Sequence, residues 1–212
     1  NKSINQTQTG FDIHLDEKNE SFITTINGPI EVVNKKLNIF FFNYKGRKIK
    51  ETIKYKRIKP YETIYLQLKK FKKLKKFLNN NRGFCKIDLP TENIFNRILA
   101  GTISRDKNKI TTTHSYYDCS KANDYIRTNK IKKNEYHCYL PFNLISGVDL
   151  EIVIYPIFSR TNLKIALEEY SIKGARKTIS NNVISINKDF NEPKIIKIKD
   201  FIKKIKNKNL NK

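Results

Sequence analysis

The sequence predicts a mainly β chain built as two immunoglobulin-like antiparallel β-sandwich modules, each with a short basic amphipathic helix. Three observations predict it. Short stretches alternate apolar and polar residues with a period of two, as half-buried strands do. Gly, Pro and Asn separate them at short intervals, as turns do. The pattern also recurs. Leu37 and Asn38-Ile39-Phe40-Phe41-Phe42-Asn43-Tyr44 lead to Gly46, and Leu163-Lys164-Ile165-Ala166-Leu167 leads to Tyr170 and Gly174. Pro60, Leu66, Leu68 and Phe71 have counterparts in Pro193, Ile196, Ile198 and Phe201. The offset drifts from 126 (Leu37 to Leu163) to 133 (Pro60 to Pro193), as insertions in the loops of two related modules would make it drift.

The elements follow in order. Residues 1–10 are polar and read as a flexible lead-in, with module 1 spanning 11–118. Phe11 to Leu15 alternates strictly, and Ser21 to Ile26 is closed by Asn27-Gly28-Pro29. Leu37 to Tyr44 is nearly continuously apolar, as a central strand is. After a turn at Gly46, Ile49 to Ile58 places Ile49, Ile53 and Tyr55 on one face between lysines, and Thr63 to Leu68 alternates again. The period then changes: Phe71, Leu74 and Phe77-Leu78 recur at helical spacing between Lys69, Lys70, Lys72, Lys73, Lys75 and Lys76. Phe84 to Leu89, Arg97 to Ser104 and Lys109 to Tyr117 complete the module. Residues 119–135 read as a polar, charged linker. Module 2, 136–212, repeats strands at 150–158, 162–170, 178–186 and 194–198 and a basic helix from Asp200, but falls two or three strands short of module 1.

Composition bounds the function. At 212 residues, with 38% hydrophobic content, the chain can bury a core. No Met occurs, not even an initiator, which points to a processed chain or an excerpt. No run approaches the 18 or so apolar residues of a membrane span. The net charge of +23 invites an anionic partner. The 35 Lys against 8 Arg, with 25 Asn, also fit AT-rich codon usage, which leaves part of that charge as solvated background. Cys85, Cys119 and Cys138 show no CxxC spacing, so reduced thiols in a cytoplasmic setting are the simpler reading, and a Cys119–Cys138 bridge is the oxidising alternative.

Candidate surfaces come next. On one continuous strand His114, Tyr116 and Asp118 share a face and Ser115 and Tyr117 the other. With Tyr125 and Tyr136 nearby, such a surface offers ring area and polar groups to a glycan or protein. The six lysines around the helix could instead dock on nucleic acid or anionic membrane. Scarce Arg argues against base-specific recognition. The enzyme reading, a hydrolase or metalloenzyme at His114 with Asp118, has little behind it. Ser115 beside His114 is no triad signal, the seven glycines form no phosphate loop, and adjacent His137 and Cys138 would point apart on a strand. His14 reads as structural. The sequence therefore predicts a non-catalytic binding or scaffolding protein without cofactor or metal. A basic anion-surface protein is the first alternative and the His114-centred enzyme the second.

Overall fold

The computed structural model describes residues 7–79, 82–88, 98–114, 116–117, 140, 142, 145–155, 163–166, 168–170, 173–174, 176–179, 184–186, 192–200 and 202. It is mainly β with antiparallel sheets, and the chain divides into two units, 1–118 and 119–212.

In the first unit the strands are β1 (Thr7–His14), β2 (Asn19–Ile26), β3 (Val32–Asn43), β4 (Lys48–Ile58), β5 (Thr63–Gln67), β6 (Arg82–Asp88), β7 (Leu99–Ser104), β8 (Ile110–His114) and β9 (Tyr116–Tyr117). They form a five-stranded sheet in the order β4-β3-β6-β1-β9 and a four-stranded sheet in the order β5-β2-β7-β8. The alternation in the sequence decides what each sheet buries. Leu37, Ile39 and Phe41 of β3 turn inward with Cys85 and Ile87 of β6 and Ile13 of β1. They share one core with Ile23 of the other sheet, so the unit is a β-sandwich at this coarse level. β1 starts at Thr7, four residues ahead of the alternating run, because Thr7–Gly10 pair with Asp88–Cys85. Backbone pairing of this kind leaves no hydrophobic mark.

The helical spacing predicted from Phe71 is realised as a 3-10 turn, Leu68–Lys70, followed by α1, Lys72–Leu78. Leu68, Leu74 and Leu78 are buried in the core, with Phe71 and Phe77 packed against it. The helix ends where Asn79 enters the left-handed region at φ 55° and its N–H reaches the carbonyls of Lys75 and Lys76.

Two polar groups tie the turns. Asn27 is buried, and its side-chain N–H groups donate to the carbonyls of Ile30 (3.0 Å) and Lys59 (2.8 Å). Asn27→Ala orphans those carbonyls and is expected to cost about 1–3 kcal/mol, read as a lower urea midpoint. In the β1–β2 turn Asp16 Oδ1 accepts the N–H groups of Lys18 and Asn19, both at 2.7 Å. Desolvation pushes its pKa up, but these bonds together with the Asn19 side chain outweigh it and hold the carboxyl below its ordinary value. The sign follows: Asp16 stabilises the fold at neutral pH, and that contribution disappears as pH falls through the depressed pKa. Asp16→Asn is therefore expected to flatten the acid limb of stability against pH.

In the second unit the strands are β10 (Glu151–Ile154), β11 (Leu163–Ile165), β12 (Glu168–Tyr170), β13 (Arg176–Ile179), β14 (Ile184–Ile186) and β15 (Lys194–Lys197). β10 pairs with β15, β11 with β14 and β12 with β13, all antiparallel. Tyr155, Ile186, Ile196 and Ile198 are buried. Residues 198–200 are helical, and the Ile198 N–H donates to the Leu150 carbonyl at 3.0 Å.

Candidate functional site

The five-stranded sheet has an outer face that its inward-turning residues define by alternation. On β4 every second residue, Lys48, Lys50, Thr52, Lys54 and Lys56, is exposed, while the residues between are partly covered. Register sets these against β3 and β6. Phe40 lies between Lys50 and Lys86, Phe42 lies between Lys48 and Phe84, and Asn38 lies between Thr52 and Asp88. The resulting rows interleave cations with aromatic rings. The ammonium groups of Lys48 and Lys50 sit 5.6 and 5.5 Å from the centre of the Phe40 ring. Lys86 stands 5.7 Å from Phe42 and the Arg82 guanidinium 6.0 Å from Tyr44. Phe42 stacks on Phe84 at 4.7 Å with 7° between planes. Lysines two residues apart on one strand stand about 7 Å from each other, so β4 presents two pairs of positive charges, Lys48 with Lys50 and Lys54 with Lys56, separated by Thr52.

The helix lysines are also exposed. Lys69 is paired with Glu20 at 3.0 Å, and the apolar side of α1 closes the core, so the helix is first a plug.

The surface predicted around His114 divides between the two sheets. β8 ends at His114 in the four-stranded sheet, where it pairs with Leu99. β9 begins at Tyr116 in the five-stranded sheet, where Tyr116 and Tyr117 pair with Thr9 and Gln8. His114 and Tyr116 thus belong to different sheets, so the alternation of a single strand does not relate them. Asp118, Tyr125 and Tyr136 lie outside the described residues, as do Cys119, His137 and Cys138. His114 is exposed on the sheet that also exposes Ile26, Tyr65, Leu99 and Ile110. Cys85 is buried in the core.

A second place was not legible in the sequence. Asp12 occupies a bulge in β1 with φ 59°, a conformation that Asp tolerates better than most residues. Its Oδ2 lies 2.8 Å from His14 Nε2, and its Oδ1 accepts from the Tyr44 hydroxyl at 3.4 Å. Arg82 stands 3.9 Å away. Asp12 and His14 line a cleft of about 280 Å³ with Asn19, Thr102 and Thr111 to Thr113, floored by Ala100 and Gly101.

Among the described residues no helix is long and apolar enough to cross a membrane, and no three His, Cys, Asp or Glu side chains converge as metal ligands would. No family model, no curated protein and no solved structure matches the chain.

Proposed function

We propose that the protein is a non-catalytic binding module whose outer five-stranded face takes single-stranded nucleic acid without sequence preference. The observation that carries this reading is the Phe40–Phe42 row held between Lys48, Lys50 and Lys86. Such binding needs a line of cations for the backbone and rings on which bases stack, and neither element reads sequence. The predominance of Lys over Arg fits that indifference. A phospholipid surface would find the rings half-buried in the sheet, without the protruding apolar groups that insert below headgroups.

Fluorescence anisotropy with labelled oligo-dT tests it. Lys48→Glu with Lys50→Glu is expected to weaken binding at least about tenfold and to reduce the salt slope by about 1.4, 0.7 per phosphate contact. Phe40→Ala is expected to weaken oligo-dT by about 1–3 kcal/mol and to leave heparin retention unchanged. Lys72→Glu with Lys75→Glu, on the plug helix, should stay near the parent. Unchanged oligo-dT affinity in the sheet variants would overturn the assignment, and equal loss on heparin would make the ligand a sulfated polymer.

We also propose that the units are immunoglobulin-like and duplicated. β2 pairs with β5, and β6 with β3, as strand B of that fold pairs with E, and F with C, while the first and last strands are exchanged, β1 lying beside β6 and β7 beside β2. The hairpin pair Phe42–Lys48 around Gly46 has a counterpart 128 residues on in Tyr170–Arg176 around Gly174. Likewise Ile23–Leu66 matches Ile152–Ile196 at 129 and 130. Both glycines have positive φ, 67° and 80°. If the turns are equivalent, Gly46→Ala and Gly174→Ala carry a similar penalty of about 1–2 kcal/mol each. A near-zero cost at one of them, in paired denaturation curves, would break the equivalence.

A further inference from the structure

We infer that the cleft beside β1 is a binding site for a neutral polyhydroxylated ligand, a single sugar ring in size. It lies where the two sheets part, and the residues there depart from the rest of the interior. The core is mostly Ile, Leu and Phe with Cys85, whereas β7 and β8 present Thr102, Thr111 and Thr113 toward β1. Ser21 and Thr102 exchange a hydrogen bond at 2.8 Å, and Ser21 Oγ also accepts the His14 N–H at 2.7 Å, so this wall is fixed in place.

The Asp12–His14 pair sets the polarity. The carboxylate accepts from Nε2, so in neutral His14 the Nδ1 atom is an acceptor. Among the described residues Nδ1 has no partner, and a ligand hydroxyl can supply one. Threonine hydroxyls both donate and accept, which suits sugar hydroxyls, themselves able to do both. Other ligand classes fit worse. An anion meets the Asp12 carboxylate, an apolar group strands the hydroxyls, and a cation is repelled by a chain of net charge +23. The 280 Å³ of space falls just under the roughly 300–1,000 Å³ of small-molecule sites, so the ligand is small. Among the described residues Asp12 is the only carboxylate lining the cleft, whereas glycoside hydrolysis ordinarily requires two, which favours binding over cleavage.

Saturation-transfer NMR on the full chain tests this, with glucose, galactose, mannose and N-acetylglucosamine as probes. Transfer to ring protons of at least one sugar is expected. His14→Gln keeps a donor for Asp12 while removing Nδ1 and is expected to weaken binding about 2–10-fold, the loss of one hydrogen bond. Thr111→Trp alters an exposed residue and is expected to abolish transfer by filling the cleft. Lys48→Glu with Lys50→Glu should leave transfer intact, which separates this site from the nucleic-acid face. No transfer from any of the four sugars, or undiminished transfer in both cleft variants, would overturn the inference.

Discussion

Phe41→Ala is expected to lower the stability of the first unit by about 3–5 kcal/mol, the usual cost of emptying a buried phenylalanine site. Phe41 is 0% exposed and packs beside Ile39, Leu37 and Cys85, with Phe71 at 5.6 Å between ring centres. A domain of this size has only about 5–15 kcal/mol in total, so the variant sits near the edge of folding. Its neighbour supplies the control. Phe40 faces outward, half-covered and flanked by lysines, so Phe40→Ala loses ring contacts without leaving a cavity and should cost about 1 kcal/mol or less. Urea denaturation of the two variants side by side measures the alternation of β3 directly. Equal midpoints would mean that the strand does not separate these rings between core and surface.

Gly83→Ala carries the second large effect. A Cβ at this position would lie 2.4 Å from the Phe42 carbonyl oxygen and 2.7 Å from Leu78 Cδ2. The first obstacle is backbone, and β6 is held between β3 and β1, so neither side can withdraw without breaking pairing. The second displaces the last buried leucine of α1. The expected cost is about 3 kcal/mol, the upper end of overpacking, with loss of α1 helicity ahead of the sheets in hydrogen exchange. Gly101 offers a contrast. There the added carbon would meet ring atoms of Phe22 at 2.3 and 2.5 Å. Because a side chain can swing away where a carbonyl cannot, Gly101→Ala should cost less than Gly83→Ala.

What the sequence made legible followed from periodicity. The strands from β2 to β5, the plug helix and the turn at Gly46 were visible because each writes its own period or breaker into consecutive residues. Long-range register was not visible. That Phe40 stands between Lys50 and Lys86 depends on pairings 10 and 46 residues apart in the chain (50 − 40 and 86 − 40), and no local pattern encodes them. In the sequence the lysines of β4 mark only the polar side of a strand, whereas those of the helix stand out as a dense run. Alternation also cannot say when a strand leaves one sheet for another, which is how His114 and Tyr116 came to be read on one face. His14 stands alone in the pattern, and the bulge that brings Asp12 to it leaves no periodic mark.

The sandwich has two unlike outsides. One is lined with ammonium groups, the other with Ile26, Leu99 and Ile110, and they belong to opposite layers of one folded unit. Adsorbed on a polyelectrolyte film, this unit would land in one orientation, cationic layer down and oily layer up. High salt would screen that attraction and lift the protein off.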